Sequence, residues 1–430
     1  MKKSLSSIVS SLLFVSLLAL PAYALKLAGT EAEITRDVNS LPMMSSSSLD
    51  AKDNLITWID SRAENGIPRI YAAFANDPNY KEHLIDVNAV DTWTVRTDGR
   101  KIIYNFYNNV TSEYSLRVAD VYDINHPAIK DVNTNGAYIN SIDIDKGKAV
   151  YFESESFDPA GIYVFNTSEP NECLLIRSFL KGDWMQSNIA IDCNTVVYCG
   201  SHYDDVNAVE RYYIETANVA DIYNPVITRS YLPMDADTGA QTYIYQLDPS
   251  GDWLVVYGSY LGDYGLYAIL NYKDDQSQWE MSLLSSSSEI MSIRADKTFA
   301  VWCGYDRENQ PQSEAPSPYK LSGAVLFANG KSHTSVLKTY DDSDWTLSSA
   351  VVNGNKVLWG ANFYHYGQTE QHYSDFFTKT IQLECGDKGF SLADLTRDCK
   401  VDFRDFAIIA EQWLVCTMPE DESCTFGVIN

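Results

Sequence analysis

The stretch NSIDIDKGKAVY, residues 140–151, reads as two short β runs across a tight turn. Ile142 and Ile144 alternate with polar residues, which is the period of a half-buried strand. Asp145-Lys146-Gly147 is turn chemistry, and the chain then climbs through Ala149 and Val150 to Tyr151. The same sentence is written six more times. The apolar runs LITW, KIIY, TVVY, LVVY, FAVW and KVLW end on Trp58, Tyr104, Tyr198, Tyr257, Trp302 and Trp359. With Tyr151 in place, successive aromatics lie 46, 47, 47, 59, 45 and 57 residues apart. Six residues before the aromatic stand Asp98, Asp145, Asp192, Gly251, Asp296 and Asn353, and Asp53 sits five before the first. Asp, Asn and Gly tolerate left-handed backbone and punctuate hairpins. A β run precedes each turn, and one or two more follow each aromatic, as in GIYVFN and LLIRS.

Four short strands in a unit of about 45 residues are the signature of a β-propeller blade. One such sheet has two faces to cover, and radial packing of seven covers them all, with the second-strand aromatic filling the gap between blades. Two stacked sheets give no reason for seven aromatics in register. The seventh unit has three runs before Cys385, whereas a spare run, Glu33-Ile34-Thr35-Arg36, stands near the start. The N-terminal run is therefore expected to complete the last blade. The repeat resembles the β-propellers of secreted bacterial proteins over residues 31–384. That resemblance implies architecture and leaves chemistry open, because propellers host enzymes, binders and scaffolds.

The first residues, MKKSLSSIVSSLLFVSLLALPAYA, combine Lys2 and Lys3, an apolar stretch and a small-x-small ending, the layout of an export signal over 1–24 cut near Ala24. The expected location is secreted, periplasmic or cell-surface, with no membrane span. The formal charge is −26, which disfavours nucleic acid and anionic membranes. Export permits disulfides. Cys385, Cys399, Cys416 and Cys424 crowd the C-terminus with pairing undetermined, while Cys199 and Cys303, each following a blade aromatic in non-adjacent units, are expected to be buried free thiols.

Residues 394–405 place oxygen donors at positions 1, 3, 5, 9 and 12 of a 12-residue loop: Asp394, Thr396, Asp398, Asp402 and Asp405, with the Lys400 carbonyl at position 7. Calcium takes six to eight oxygens, and this spacing wraps them round one ion. Phe406, Ile409, Ala410, Trp413 and Leu414 then recur at helical spacing. Residues 385–430 thus read as a small helical calcium-loop module that resembles a type I dockerin, with one loop where dockerins carry two and Cys399 at the position usually held by glycine. The resemblance implies Ca2+ and a cohesin-like or cell-surface docking partner.

On a propeller, the loop between second and third strands and the link between blades open on one face. There the long segments fall, bringing His202, Tyr203, Asp204, Asp263, Tyr264, Tyr305, Arg307, Tyr364, His365, Tyr366 and His372. Three readings fit these residues: a glycan-stacking surface, acid–base or metal chemistry, and ordinary loop composition. No nucleophile elbow or phosphate loop is present. The sequence favours a binding or scaffold protein that presents this face to a glycan or protein. An alternative is a polysaccharide lyase or glycoside hydrolase on the same face.

Overall fold

The computed structural model describes residues 23–37, 49–60, 67–77, 80–89, 91–108, 111–134, 138–154, 160–179, 183–204, 209–234, 239–274, 276–286, 289–305, 319–326, 332–340, 345–364 and 372–385. They form seven separate sheets, six of them built from strands consecutive in the chain and the seventh completed from its start. The fold is an all-β seven-bladed propeller, and residues Leu27–Ile381 make one compact unit. Among the described residues the only helical piece is the 3-10 turn Gln276–Gln278.

The seventh blade holds Trp345–Asn353, Lys356–Tyr364 and His372–Cys385, and its outermost strand is Tyr23–Asp37 from the start of the chain. The expected closing strand is therefore present. Glu31 on it accepts from Lys338 Nζ at 2.8 Å through both carboxylate oxygens, and Lys338 belongs to Ser332–Tyr340, the outer strand of blade 6. On the other side of the closure, Lys356 Nζ donates to the Ala75 carbonyl of blade 1 at 3.0 Å.

The hairpin between first and second strands turns on a left-handed residue in every blade: Asp53, Gly99, Lys146, Cys193, Gly251, Lys297 and Gly354. The aspartates expected to adopt that conformation mostly stand one residue earlier and do something else. Each reaches sideways to the next blade. Asp98 accepts from the Gly147 amide at 3.0 Å, Asp145 from Cys193 at 2.5 Å, Asp192 from Gly251 at 2.8 Å and Asp296 from Gly354 at 2.6 Å. Ser250 Oγ reaches the Lys297 carbonyl at 3.5 Å, and Asn353 Nδ2 donates to the Asp53 carbonyl at 2.8 Å. Asp50 completes the circle by accepting from Thr97 of blade 2 at 2.8 Å. Turn amides that a lone hairpin leaves to solvent are thus satisfied by the neighbouring sheet, mostly through charge-assisted bonds.

The second-strand aromatics are buried as expected, with Trp58, Tyr104, Tyr198 and Trp359 at 0% exposure. Tyr104 packs with Leu55, Ile59 and Ile70 of blade 1, Tyr151 with Ile103 and Val118 of blade 2, and Tyr198 with Val150 and Phe152 of blade 3. Blade 5 corrects the alignment. Its hairpin pairs Ser250 with Trp253, so Val256 occupies the position of the other aromatics and Tyr257 is one residue further on. In a strand one residue reverses the face. Val256 packs toward blade 4, while Tyr257 faces blade 6 beside Trp302.

The interface favours tyrosine over phenylalanine where its hydroxyl has a buried partner. Tyr104 Oη donates to Asp86 at 2.7 Å, and Arg117 binds the same oxygen at 2.9 Å; Asp86 is 2% exposed. Tyr198 Oη likewise donates to Glu215, which also accepts from Arg229 at 2.6 Å. Cys199 and Cys303 are free and fully buried, as expected, and burial pushes both thiols up to about 12.

The first strands line the axis. Asp50, Arg96, Asp143, Asp248 and Arg294 stand at one level of it, two residues before their turn pairs. Arg294 of blade 6 lies 3.6 Å from Asp50 of blade 1, and Lys52 of blade 1 lies 3.6 Å from Asp145 of blade 3, so charges meet across the ring. Burial raises Asp143 to about 7 and Asp248 to about 6, with Arg96 and Arg294 respectively opposing. Both carboxyls hold protons more tightly when folded than when unfolded. The stability they contribute is complete below the ordinary carboxylate range and is lost as pH rises through 6–7.

Two outcomes are expected. Asp86→Ala should cost about 3–5 kcal/mol by stranding the buried Tyr104 hydroxyl and leaving Arg117 only its exposed partner Asp131, whereas Asp131→Ala should cost within about 1 kcal/mol, both measured by denaturant unfolding. The double variant Asp143→Asn, Asp248→Asn keeps both acceptors. Its Tm should gain on the wild type as pH rises from 5 to 8, and a constant difference would contradict the assignment.

Candidate functional site

At the end of the first strands opposite the turns, the ladder carries an extra residue. The register slips between Thr92 and Thr94, Ile139 and Ser141, Ile244 and Gln246, Ile290 and Ser292, and Leu347 and Ser349. The residues set out of the ladder are Trp93, Asn140, Tyr245, Met291 and Ser348. In blade 4 the slip is wider: Met185 faces Gly200 and Ala190 faces Val197, leaving Gln186–Ile189 against two residues. A bulge bends the strand and re-aims a side chain, and bulges gather beside binding sites. Two glycines make room. A Cβ on Gly258 would stand 2.0 Å from the Tyr243 carbonyl, and one on Gly304 2.3 Å from that of Glu289.

All five re-aimed residues are uncharged, in a chain with 58 acidic residues. In blade 2 the bulge builds a pocket. Trp93 stacks on Tyr138, the first residue of the neighbouring first strand, with ring centroids 6.2 Å apart and planes at 13°. Tyr114 stands edge-on to both, at 5.4 Å and 4.8 Å, and Tyr107 stands edge-on to Tyr114 at 5.3 Å. Together with Pro68, Asp91 and Thr92 these four aromatics line an open cavity of about 580 Å³, the size of a small-ligand site. Thr92 is 3% exposed, and its hydroxyl has no hydrogen-bond partner among the described residues. Asp91, at the rim, holds φ = 52°, a left-handed conformation that aspartate tolerates.

Of the residues expected from sequence, the described ones sit at strand ends on this same side of the ring, spread over blades 4 to 7. His202 and Tyr203 end the second strand of blade 4, closed by Asp204. His202 Nδ1 meets Asp183 Oδ1 at 2.6 Å, and Arg177 binds Asp183 at 3.0 Å, so this histidine is held within a structural ion network. Tyr203 is 46% exposed. Asp263 and Tyr264 open the third strand of blade 5, where the Tyr264 and Tyr243 hydroxyls meet. Tyr305 ends the second strand of blade 6, and Tyr364 pairs with His372 in blade 7. Arg307, His365 and Tyr366 lie outside the described residues, as do all six residues of the calcium loop: Asp394, Thr396, Asp398, Lys400, Asp402 and Asp405.

Sequence reasoning passed over Trp93, Tyr107, Tyr114 and Tyr138 because it ranked blades by loop length. This pocket is made from strand ends and a bulge. The usable signal was local: Trp93, Tyr107 and Tyr114 at strand boundaries of one repeat and Tyr138 at the start of the next.

No protein-family model matches the chain, and no curated protein sequence matches it. Solved structures do. The chain is similar to the β-propeller domain of the Trilobed protease from Pyrococcus furiosus, described as having an open velcro topology, with TM-score 0.52 and 11% identity over 78% of this chain and 95% of that one. It is also similar to Pyrococcus horikoshii acylaminoacyl peptidase, with TM-score 0.50 and 10% identity over 79% of this chain and 52% of that one. At such identity the likeness is one of fold alone.

A hydroxyl buried without a partner costs stability in the ligand-free protein. Thr92→Val should therefore stabilise the free protein by about 1 kcal/mol, read from its unfolding midpoint. A loss of stability would mean the hydroxyl is already satisfied.

Proposed function

We propose that this protein is an exported, non-catalytic binding protein whose propeller rim holds a neutral glycan, with the blade 2 pocket as its principal site. The observation that carries the reading is the aromatic wall of Trp93, Tyr114 and Tyr138 around the open blade 2 cavity. A sugar ring has apolar C–H faces that cover aromatic rings and hydroxyls that need partners at the edge, and amphipathic aromatics serve both. The chain's charge of −26 works against acidic polysaccharides. Among the described lining residues Asp91 is the one carboxylate, whereas glycoside hydrolysis generally uses two across the bond. This supports binding over cleavage.

In this reading residues 1–24 direct export, and the tail binds Ca2+ through Asp394, Thr396, Asp398, the Lys400 carbonyl, Asp402 and Asp405 and attaches the propeller to a surface or assembly. Among the described residues no helix is long and apolar enough to cross a membrane.

The test is affinity electrophoresis of the full chain in gels containing xyloglucan, glucomannan, mixed-linkage β-glucan or polygalacturonate. Retardation by at least one neutral polymer, absent with polygalacturonate and abolished by Trp93→Ala, is expected. Release of new reducing ends or unsaturated products would overturn the non-catalytic reading, and absence of neutral-polymer binding would overturn the glycan.

A further inference from the structure

The aromatic bulge of blade 2 has a counterpart. In blade 5 the re-aimed residue is Tyr245, and the second residue of the third strand is Tyr264, just as Tyr114 is in blade 2. Tyr243, the first residue of the first strand, stands edge-on to Tyr245 at 5.1 Å and to Tyr264 at 5.8 Å. Tyr245 and Tyr264 are each 46% exposed. Tyr245 and Tyr264 thus present rings to solvent around one bulge, with Tyr243 partly buried behind them and its hydroxyl on that of Tyr264. Burial and the neighbouring phenols raise Tyr243, and burial with Tyr264 raises Tyr245 against the opposing bond with Tyr243, so these hydroxyls are protonated at neutral pH.

Blade 5 lies three blades from blade 2 in a ring of seven. On the arc between them the first strand of blade 4 displays Trp184, 64% exposed and paired opposite Ser201 beyond the wide slip. The blade 3 bulge presents Asn140, exposed, with its amide on the Ser154 hydroxyl at 2.6 Å. A single isolated cluster would suit the end of a ligand. Aromatic platforms repeated at equivalent bulges, with an exposed indole and an amide on the arc between, suit a long one.

We infer that the rim holds a second glycan subsite on blade 5, centred on Tyr245 and Tyr264, so that the protein recognises the interior of a neutral polysaccharide spanning blades 2 to 5 rather than a chain end. This rests on the glycan reading of the blade 2 pocket. Linking two subsites through one polymer makes the second contact intramolecular and multiplies affinity without new contacts.

Calorimetric titration of the full chain with the polymer retained in the gels, and with its tetrasaccharide, separates the two claims. The wild type should take two tetrasaccharides per chain. Trp93→Ala and Tyr245→Ala should each take one, and each should bind the polymer at least tenfold more weakly. Tyr264→Ala serves as a second blade 5 variant, and thermal unfolding checks that each variant is folded. One tetrasaccharide per wild-type chain, lost with Trp93→Ala and unchanged in Tyr245→Ala and Tyr264→Ala, would overturn the second subsite and leave the blade 2 site standing. Tetrasaccharide stoichiometry unchanged by Trp93→Ala would overturn the blade 2 site itself.

Discussion

Seven sheets stay in a ring here because each one completes the hydrogen bonding of the next. A two-residue hairpin leaves amides facing outward, and the carboxylates of Asp98, Asp145, Asp192 and Asp296 take those of the following blade. A second tier repeats the device two residues up the strand, where Asp50, Asp143 and Asp248 accept from Thr97, Ile191 and Ala295. Apolar contact between blades is non-directional. The clasps fix the height at which neighbouring sheets stack, and so place the bulged ends of the first strands on one rim.

The two ends of the first strands divide the labour. The turn end concentrates charge, and its density is costly: Asp143 and Asp248 resist ionisation although two arginines share their level. The rim end sets uncharged residues out of the ladder at its bulges, and beside the blade 2 bulge stand a left-handed Asp91 and a Thr92 hydroxyl without a partner. Bulges repeated at equivalent places re-aim side chains and gather beside binding sites. Here they coincide with the densest aromatic clusters of the rim.

The architecture was legible because its signals are periodic and local. Alternation, turn residues and one large aromatic per unit recur seven times, and the surplus strand at Glu33–Arg36 matched the deficit in blade 7. What escaped were relations between repeats. Asp98 is a turn former, accepting from the Arg100 and Lys101 amides with one oxygen, but its second oxygen serves the neighbouring blade, and one letter does not show both tasks. Tyr257 was misplaced by one residue because Ser250, not Gly251, pairs across the turn, and an aromatic at the wrong parity still looks aromatic. The blade 2 pocket was hidden because a bulge carries no residue signature: Trp93 sits in TWTVRT where strict alternation assigns it a face, and only the slipped register sends it to the rim.

Hydrogen exchange at the hairpin turns tests the clasp most directly. Turn amides at a propeller's edge ordinarily exchange through small local openings. If neighbouring carboxylates hold them, the amides of Cys193, Gly251 and Gly354 will exchange as slowly as the core-strand amide of Val150, through opening of the whole ring. Exchange at the rate of the rim turn at Gly262 would mean the blades are stacked by apolar contact alone, and the account of how the rim is positioned would not hold.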